Sequence, residues 1–482
     1  METATAPPAT VFDAQEIKEA FAAQQTFVRE RGAPLYHERV KHLKRLDAWV
    51  RSHQEEIREA LYADFKKPAI ETDITEVVAT IGEIDHALKN LRKWMRPKRV
   101  PTPLTMFGSR GEIVYEPKGV TLIIAPWNYP FLLQVGPLAS ALAAGNTAIL
   151  KPSELTPHTA ALISQMVDEL FDPQEVVVFE GDKDVSQALL ALPFDHIFFT
   201  GSPAVGKLVM RAASEHLTSV TLELGGKSPV VIDPTAHMGD IADRLMWGKY
   251  LNNGQTCIAP DYALVPENMV DGLVGQMKEV TKKRLDPEGK GIQHSGNYAR
   301  IINERHYQRL VSALDEAVAA GAKVVMGGET DANDLYLSPT VVVDVPEDCA
   351  LMQEEIFGPI LPIKTYREVD EAIDYINTKP KPLALYYFGK QNERFKRLMA
   401  RTSAGGVITN DVVLHFAHVE LPFGGVNQSG LGKAHGEYGF LAFSNEKGTM
   451  HQRRRGFTIA QLTYPPYTDK LARLLKLLQK II

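Results

Sequence analysis

Between residues 120 and 224 short apolar runs alternate with helical ones, and this pattern restricts the fold more than any other feature of the chain. Residues 120–125, 147–150, 176–179, 196–199 and 220–224 read as buried strands, and residues 131–144, 159–170, 185–191 and 203–214 as the helices between them. Five short strands linked by helices predict an α/β fold with a doubly wound parallel sheet and right-handed crossovers. Gly145 follows the first helix at the place where a left-handed residue is wanted. Ligands of such sheets bind beyond the carboxyl ends of the strands. Three segments fall there: 126–128 (Pro-Trp-Asn), 151–154 (Lys-Pro-Ser-Glu) and 200–202 (Thr-Gly-Ser).

Residues 13–65 are helical in composition and spacing, with Gly32, Ala33 and Pro34 separating two helices. A further helix over about 70–94 carries Ile74, Val77, Ile81, Ile84 and Leu88 on one stripe. Pro97, Pro101 and Pro103 mark a linker, and 104–117 reads as β-structure. A second α/β unit spans about 229–410, with strands at 262–265, 323–326 and 340–343 and helices at 269–280 and 307–320. From about 411 the chain turns glycine-rich, above all at 421–432. A length of 482 residues suits two or three domains. The net charge of −6 gives no overall attraction to nucleic acid or anionic membrane. Two cysteines build no disulfide framework, and a reactive thiol suits a reducing, cytoplasmic setting. The first dozen residues read as a disordered tip and not as a signal peptide. No apolar stretch reaches the ~20 residues of a membrane-spanning helix. The histidines do not cluster at metal-ligand spacing, so no metal site is expected.

Cys257 and Glu223 are the first candidates for chemistry. Cys257 sits in Asn-Asn-Gly-Gln-Thr-Cys, and Glu223 in Leu-Glu-Leu-Gly-Gly-Lys. A lone cysteine is most often a small buried hydrophobe. The small and polar flanks of Cys257 instead suit an accessible nucleophile, and a carboxylate base beside it suits thioester chemistry. Gly201, Ser202 and Gly206 lie where a strand gives way to a helix, either as a plain capped turn or as a cradle for phosphate. Lys151 and Glu154 are a solvated pair or a grip on ribose hydroxyls. Asn128 is a turn residue or an oxyanion donor. Glu355 is a helix-end carboxylate or holds a second ribose.

Segments 126–128, 151–154, 201–206, 223–227, 254–257, 354–359 and 422–425 together resemble the motif set of the NAD(P)-dependent aldehyde dehydrogenase superfamily, in order and spacing, over about residues 15–450. The short N-terminal region and residues 257–262 and 435–439 are most similar to its class 3 branch, which includes fatty and aromatic aldehyde dehydrogenases. The resemblance implies a cofactor domain (1–96 and 118–225), a catalytic domain (226–410), an oligomerisation region (97–117 and 411–450) forming a homodimer, and a separate tail (451–482). It implies that Cys257 attacks the aldehyde, that Asn128 and the Cys257 N–H hold the oxyanion, that hydride leaves for NAD or NADP, and that Glu223 activates the water that hydrolyses the thioester. Trp127, Lys151, Ser153, Glu154, Thr200, Gly201, Ser202, Val205, Gly206, Glu355 and Phe357 would line the cofactor site, and Tyr129 the substrate pocket. One departure is visible: Asn427 stands where the family's Gly-Gly-Val-Gly loop ends in glycine. Asn tolerates positive φ better than most residues, so the turn is expected to survive.

Near the C-terminus Leu471, Leu474, Leu475, Leu478 and Ile482 line one face of a basic amphipathic helix over 467–482. Such a helix packs on its own domain, covers a tunnel mouth or touches anionic membrane. Three competing readings remain: a CoA-acylating or semialdehyde-specific relative, a non-catalytic protein on the same scaffold, and a redox sensor pairing Cys257 with Cys349. Glu223 argues against the first, since a water-activating base favours hydrolysis.

Overall fold

The computed structural model describes residues 13–456, 458, 459, 461 and 464–479; the N-terminal tip lies outside them. The six-stranded sheet runs from edge to edge as Gly430–Leu431, Ser219–Leu224, His196–Gly201, Val120–Ile124, Thr147–Lys151 and Val176–Val178. Its last five strands are parallel, as the alternation predicts, and Gly430–Leu431 joins antiparallel. Every residue of Val120–Ile124 is buried, because helices cover both faces and leave no solvent side for alternation. Gly145 takes φ 92° after the helix Leu132–Ala144.

A seven-stranded sheet follows the order Lys323–Met326, Thr340–Val343, Ile360–Tyr366, Tyr262–Pro266, Pro229–Ile232, Ala384–Phe388 and Gly406–Thr409. Only Lys323–Met326 runs antiparallel to its neighbour. The sequence reading picks out three of these seven strands. Ala384–Phe388, which it passes over, is buried throughout and so has no alternation to show.

Three further expectations need correction. The first helical region holds three helices, Ala14–Arg31, Tyr36–Ser52 and Gln54–Phe65, because the chain also breaks at His53 (φ −114°, ψ 31°). No glycine or proline marks that break. The stripe over 70–94 is interrupted by a π turn, Asp73–Val77, between Ala69–Thr72 and Val78–Trp94. A π turn takes up an extra residue. It rotates Ile74 out to solvent, 55% exposed, and buries Thr75 and Glu76 in its place. Third, residues 104–117 are not all strand: Leu104–Met106 is a 3₁₀ turn, and the strand is Ser109–Pro117. That strand lies between Lys98–Val100 and Ser444–Gln452 in a small antiparallel sheet. Among the described residues no helix is long and apolar enough to cross a membrane. The C-terminal helix is Asp469–Leu478 with Leu475 exposed; Ile482 and the side chains of Leu474 and Leu478 lie outside the described set.

Candidate active site

Cys257 follows a turn with three successive left-handed residues: Asn252 (φ 53°), Asn253 (φ 57°) and Gly254 (φ 72°). Asparagine is the side chain that best tolerates this conformation, and glycine meets no penalty. A methyl group on Gly254 would also overlap the Gly358 carbonyl. The turn is therefore imposed from outside. Asn252 Nδ2 donates to the Asn128 carbonyl at 2.8 Å, and Asn253 Nδ2 to the Ala299 carbonyl at 2.8 Å. Gln255 donates to the Arg300 carbonyl at 2.9 Å and accepts the Ile302 N–H at 3.0 Å. Glu71 accepts the Asn252 N–H at 2.8 Å. These polar flanks are buried; they hold the turn before Cys257 in a shape it would not adopt unaided.

Cys257 opens into a cavity that is partly open to solvent. Its walls are mostly apolar: Leu132, Leu133, Leu251, Ile258, Phe416 and Phe423. Glu223, Thr200 and Tyr129 share them. Tyr129 hydrogen-bonds to Thr256, the residue before Cys257, at 2.6 Å. The register places Thr200 directly opposite Glu223 on the neighbouring strand. Asn128 Nδ2 donates one N–H to the Gln255 carbonyl at 2.9 Å, which leaves its second N–H for another acceptor.

Charge in this site is poorly solvated. Burial pushes the Cys257 thiol up to about 12, with the Glu355 and Glu223 carboxyls adding to the rise and the N–H groups of Cys257 and Ile258 opposing it. Burial also holds the Glu223 carboxyl well above the carboxylate range, against the pull of Lys433. Neither Glu223 oxygen has a hydrogen-bond partner among the described residues. Glu355 rises to about 8 through burial and the nearby Asp261, opposed by the Gly226 N–H, Lys227 and Arg309.

The residues expected at the cofactor fall into three groups. At the carboxyl end of the strand His196–Gly201, Ser202 caps the helix Pro203–Ser214, accepting the Val205 N–H at 3.4 Å, and Val205 is exposed at the helix start. Gly206 lets that helix close on the sheet: a methyl there would lie 2.7 Å from Leu224. Gly201 leaves a similar gap that the Phe199 ring fills. Beside it Lys151, itself buried, donates to the half-exposed Glu154 at 2.8 Å, and Ser153 is buried. Near the cysteine, Trp127 packs edge-on against Phe357 with centroids 5.3 Å apart, and Glu355 Oε1 is buried with no partner among the described residues. A capped helix start for phosphate, a Lys–Glu pair for a ribose diol and an orphaned buried carboxylate for a second one fit a dinucleotide.

Several groups at the site escaped the sequence reading. Lys67 and Glu76 form a fully buried ion pair at 2.9 Å. Glu76 also accepts the Leu132 N–H at 2.8 Å, and the Lys67 ammonium lies 4.1 Å from the centre of the Tyr129 ring. Lys227 pairs with buried Asp261 and donates to the Glu354 carbonyl at 2.7 Å, fixing the turn that presents Glu355. Glu83 and His435, 352 residues apart, pair at 2.5 Å on the cavity wall. Charged residues scattered along the sequence look like solvated surface, and nothing in their local context shows that they pair. Among the described residues no group of three or more His, Cys, Asp or Glu could hold a metal. Cys257 and Cys349 are both free and pack in separate apolar clusters, which removes the support for a disulfide sensor.

The description of the aldehyde dehydrogenase family matches residues 4–449. The chain belongs to that family. It is 46% identical over 432 residues to the 4,4'-diaponeurosporen-aldehyde dehydrogenase of Staphylococcus aureus, covering 90% of this chain and 92% of that one. It is 43% identical over 449 residues to aldehyde dehydrogenase family 3 member A2 of Macaca fascicularis, covering 93% and 91%. Its fold superposes on the substrate-bound state of Staphylococcus aureus AldH with a TM-score of 0.92 at 43% identity, covering 96% of this chain and 99% of that one. The expected class 3 likeness therefore holds. This aldehyde dehydrogenase oxidises an aldehyde to the carboxylic acid with NAD or NADP.

Proposed function

We propose that this aldehyde dehydrogenase acts on medium- to long-chain aliphatic or aromatic aldehydes, with Cys257 as nucleophile, Glu223 as base for water and Asn128 as oxyanion donor. The observation that carries this reading is the cavity itself, where one thiol and one unpartnered carboxyl share a largely apolar wall. An apolar tunnel gains about 0.8 kcal/mol for each methylene it takes from water, so chain length should register in kcat/KM.

The steps follow from the side chains. The Cys257 sulfur adds to the aldehyde carbon, the C=O π pair moves onto oxygen, and the thiol proton passes to solvent water at the cavity mouth. The oxygen that gains charge meets the free N–H of Asn128 and the Cys257 N–H. NAD(P), when bound, supplies the two-electron acceptor that converts the hemithioacetal to a thioester. Trp127, Lys151, Ser153, Glu154, Thr200, Gly201, Ser202, Val205, Gly206, Glu355 and Phe357 would hold it. Glu223 then takes a proton from water, the resulting hydroxide adds to the thioester, and the C–S bond breaks to release the acid and the thiol.

The domain roles follow the same reading, with 1–96 and 118–225 for cofactor, 226–410 for catalysis and 97–117 with 411–450 for a homodimer. The small sheet ends in the long, mostly exposed strand Ser444–Gln452, whose open edge supports pairing with a second copy. The helix Asp469–Leu478, with Lys470, Arg473 and Lys476 beside exposed Leu475, supports peripheral contact with anionic lipid. A free nucleophilic thiol supports a reducing, cytoplasmic location.

Reduced-cofactor absorbance with NAD and NADP, across short, long and aromatic aldehydes, tests the substrate reading. kcat/KM should climb with chain length and Cys257→Ser should abolish turnover. A flat series, or a Cys257→Ser enzyme that keeps a substantial rate, would contradict it.

A further inference from the structure

The carboxyl assigned as base needs something to keep it in place. Buried carboxylates normally accept several hydrogen bonds, and Glu223 accepts none among the described residues. It sits on the strand Ser219–Leu224, against the antiparallel edge strand Gly430–Leu431, with Gly430 as its direct partner. Two residues beyond that edge strand comes Lys433. The Lys433 ammonium donates to the carbonyls of Gly424, at 2.5 Å, and Gly425, at 3.2 Å. Gly424 lies between the two side chains. A methyl group built on it would be 2.8 Å from Glu223 Oε1 and 3.1 Å from Lys433 Cδ. The glycine-rich loop thus brings a lysine from one side and the base from the other around a residue with no side chain of its own.

We propose that Lys433 is a positioning residue for Glu223: anchored on the Gly424 and Gly425 carbonyls, its ammonium supplies the positive charge against which the buried carboxylate is held while it takes a proton from water. The proposal rests on Glu223 being the base. Among the charged groups around Glu223, Lys433 is the one that stabilises its ionised form. The Cys257 thiol faces it across the cavity, Glu355 flanks that thiol, and Glu83 and His435 are paired with each other on the same wall. From the adjoining strand the register partner Thr200 brings only a hydroxyl. Lys433 itself is drawn towards a lower value by burial and back up by Glu223, as expected of two partners in one poorly solvated site. Two anchoring carbonyls leave a third ammonium proton uncommitted.

Rapid-mixing kinetics on the full-length enzyme with NAD, from pH 6 to 9, tests this with Lys433→Met and Lys433→Arg. The burst of reduced cofactor counts folded, acylation-competent sites. Lys433→Met should keep the burst and slow the steady phase about tenfold at neutral pH, moving its pH midpoint up by about one unit. Lys433→Arg should restore both. A Lys433→Met enzyme with an unmoved pH midpoint, or with burst and steady phase reduced together, would overturn the proposal. Glu223→Gln run alongside separates the two claims. If it leaves the steady phase intact, the base assignment fails; if it abolishes that phase while Lys433→Met changes nothing, only the role of Lys433 fails.

Discussion

At the residue scale the site combines two acids that resist ionising. Cys257 at about 12 and Glu223 well above its ordinary value both reflect charge forced into an apolar wall. The sign of the consequence is fixed. A thiol with a raised pKa holds its proton at neutrality, so the cofactor-free enzyme should react slowly with iodoacetamide near pH 7. The rate should keep rising tenfold per pH unit up to at least pH 9. A plateau near neutrality would show that a thiolate already exists in the free enzyme. Asn427 illustrates how a departure from family pattern is absorbed. It takes φ 57°, as its chemistry allows, and the loop closes with its carbonyl accepting the Gly430 N–H at 3.2 Å. Cys257, Glu223 and Asn128 could be singled out from the sequence because the motifs around them are local. Lys67, Glu76, Lys227–Asp261 and Glu83–His435 were not, because a buried ion pair is defined by a partner far away in sequence.

Among the elements, the alternation over 120–224 predicts the parallel strands almost residue for residue, since each is a short apolar run with a helix on either side. The failures share a physical cause. The break at His53 lacks a glycine or proline, and the π turn at Asp73–Val77 keeps an apolar spacing that mimics a regular helix. The π turn has a functional result, because it brings Glu76 inward to hold both Lys67 and the start of the helix Leu132–Ala144. The Leu132–Ala144 helix in turn carries part of the cavity wall. The C-terminal helix is the element whose role is read from its surface alone. Sedimentation of the full chain and of residues 1–466, with and without anionic vesicles, should show dimer mass for both and vesicle binding for the full chain only. Equal binding or none in both would remove lipid contact from the account.

Taken as a whole, the molecule sets two mostly parallel sheets so that residues from each meet at one cavity. The six-stranded sheet contributes Glu223 and Thr200, and the turn before the strand Tyr262–Pro266 of the seven-stranded sheet contributes Cys257. Cys257 and Glu223, 34 residues apart, can be matched by motif, but the wall they share required the whole fold. The central claim is that one of them acylates and the other deacylates. The most direct test is a rapid-mixing trace of Glu223→Gln with NAD and a long-chain aldehyde. The account predicts a full burst of one reduced cofactor per site followed by a steady phase slowed at least a hundredfold, of the order an activating base contributes. A trace in which burst and steady phase fall together would contradict it and assign Glu223 to the attack by Cys257 instead.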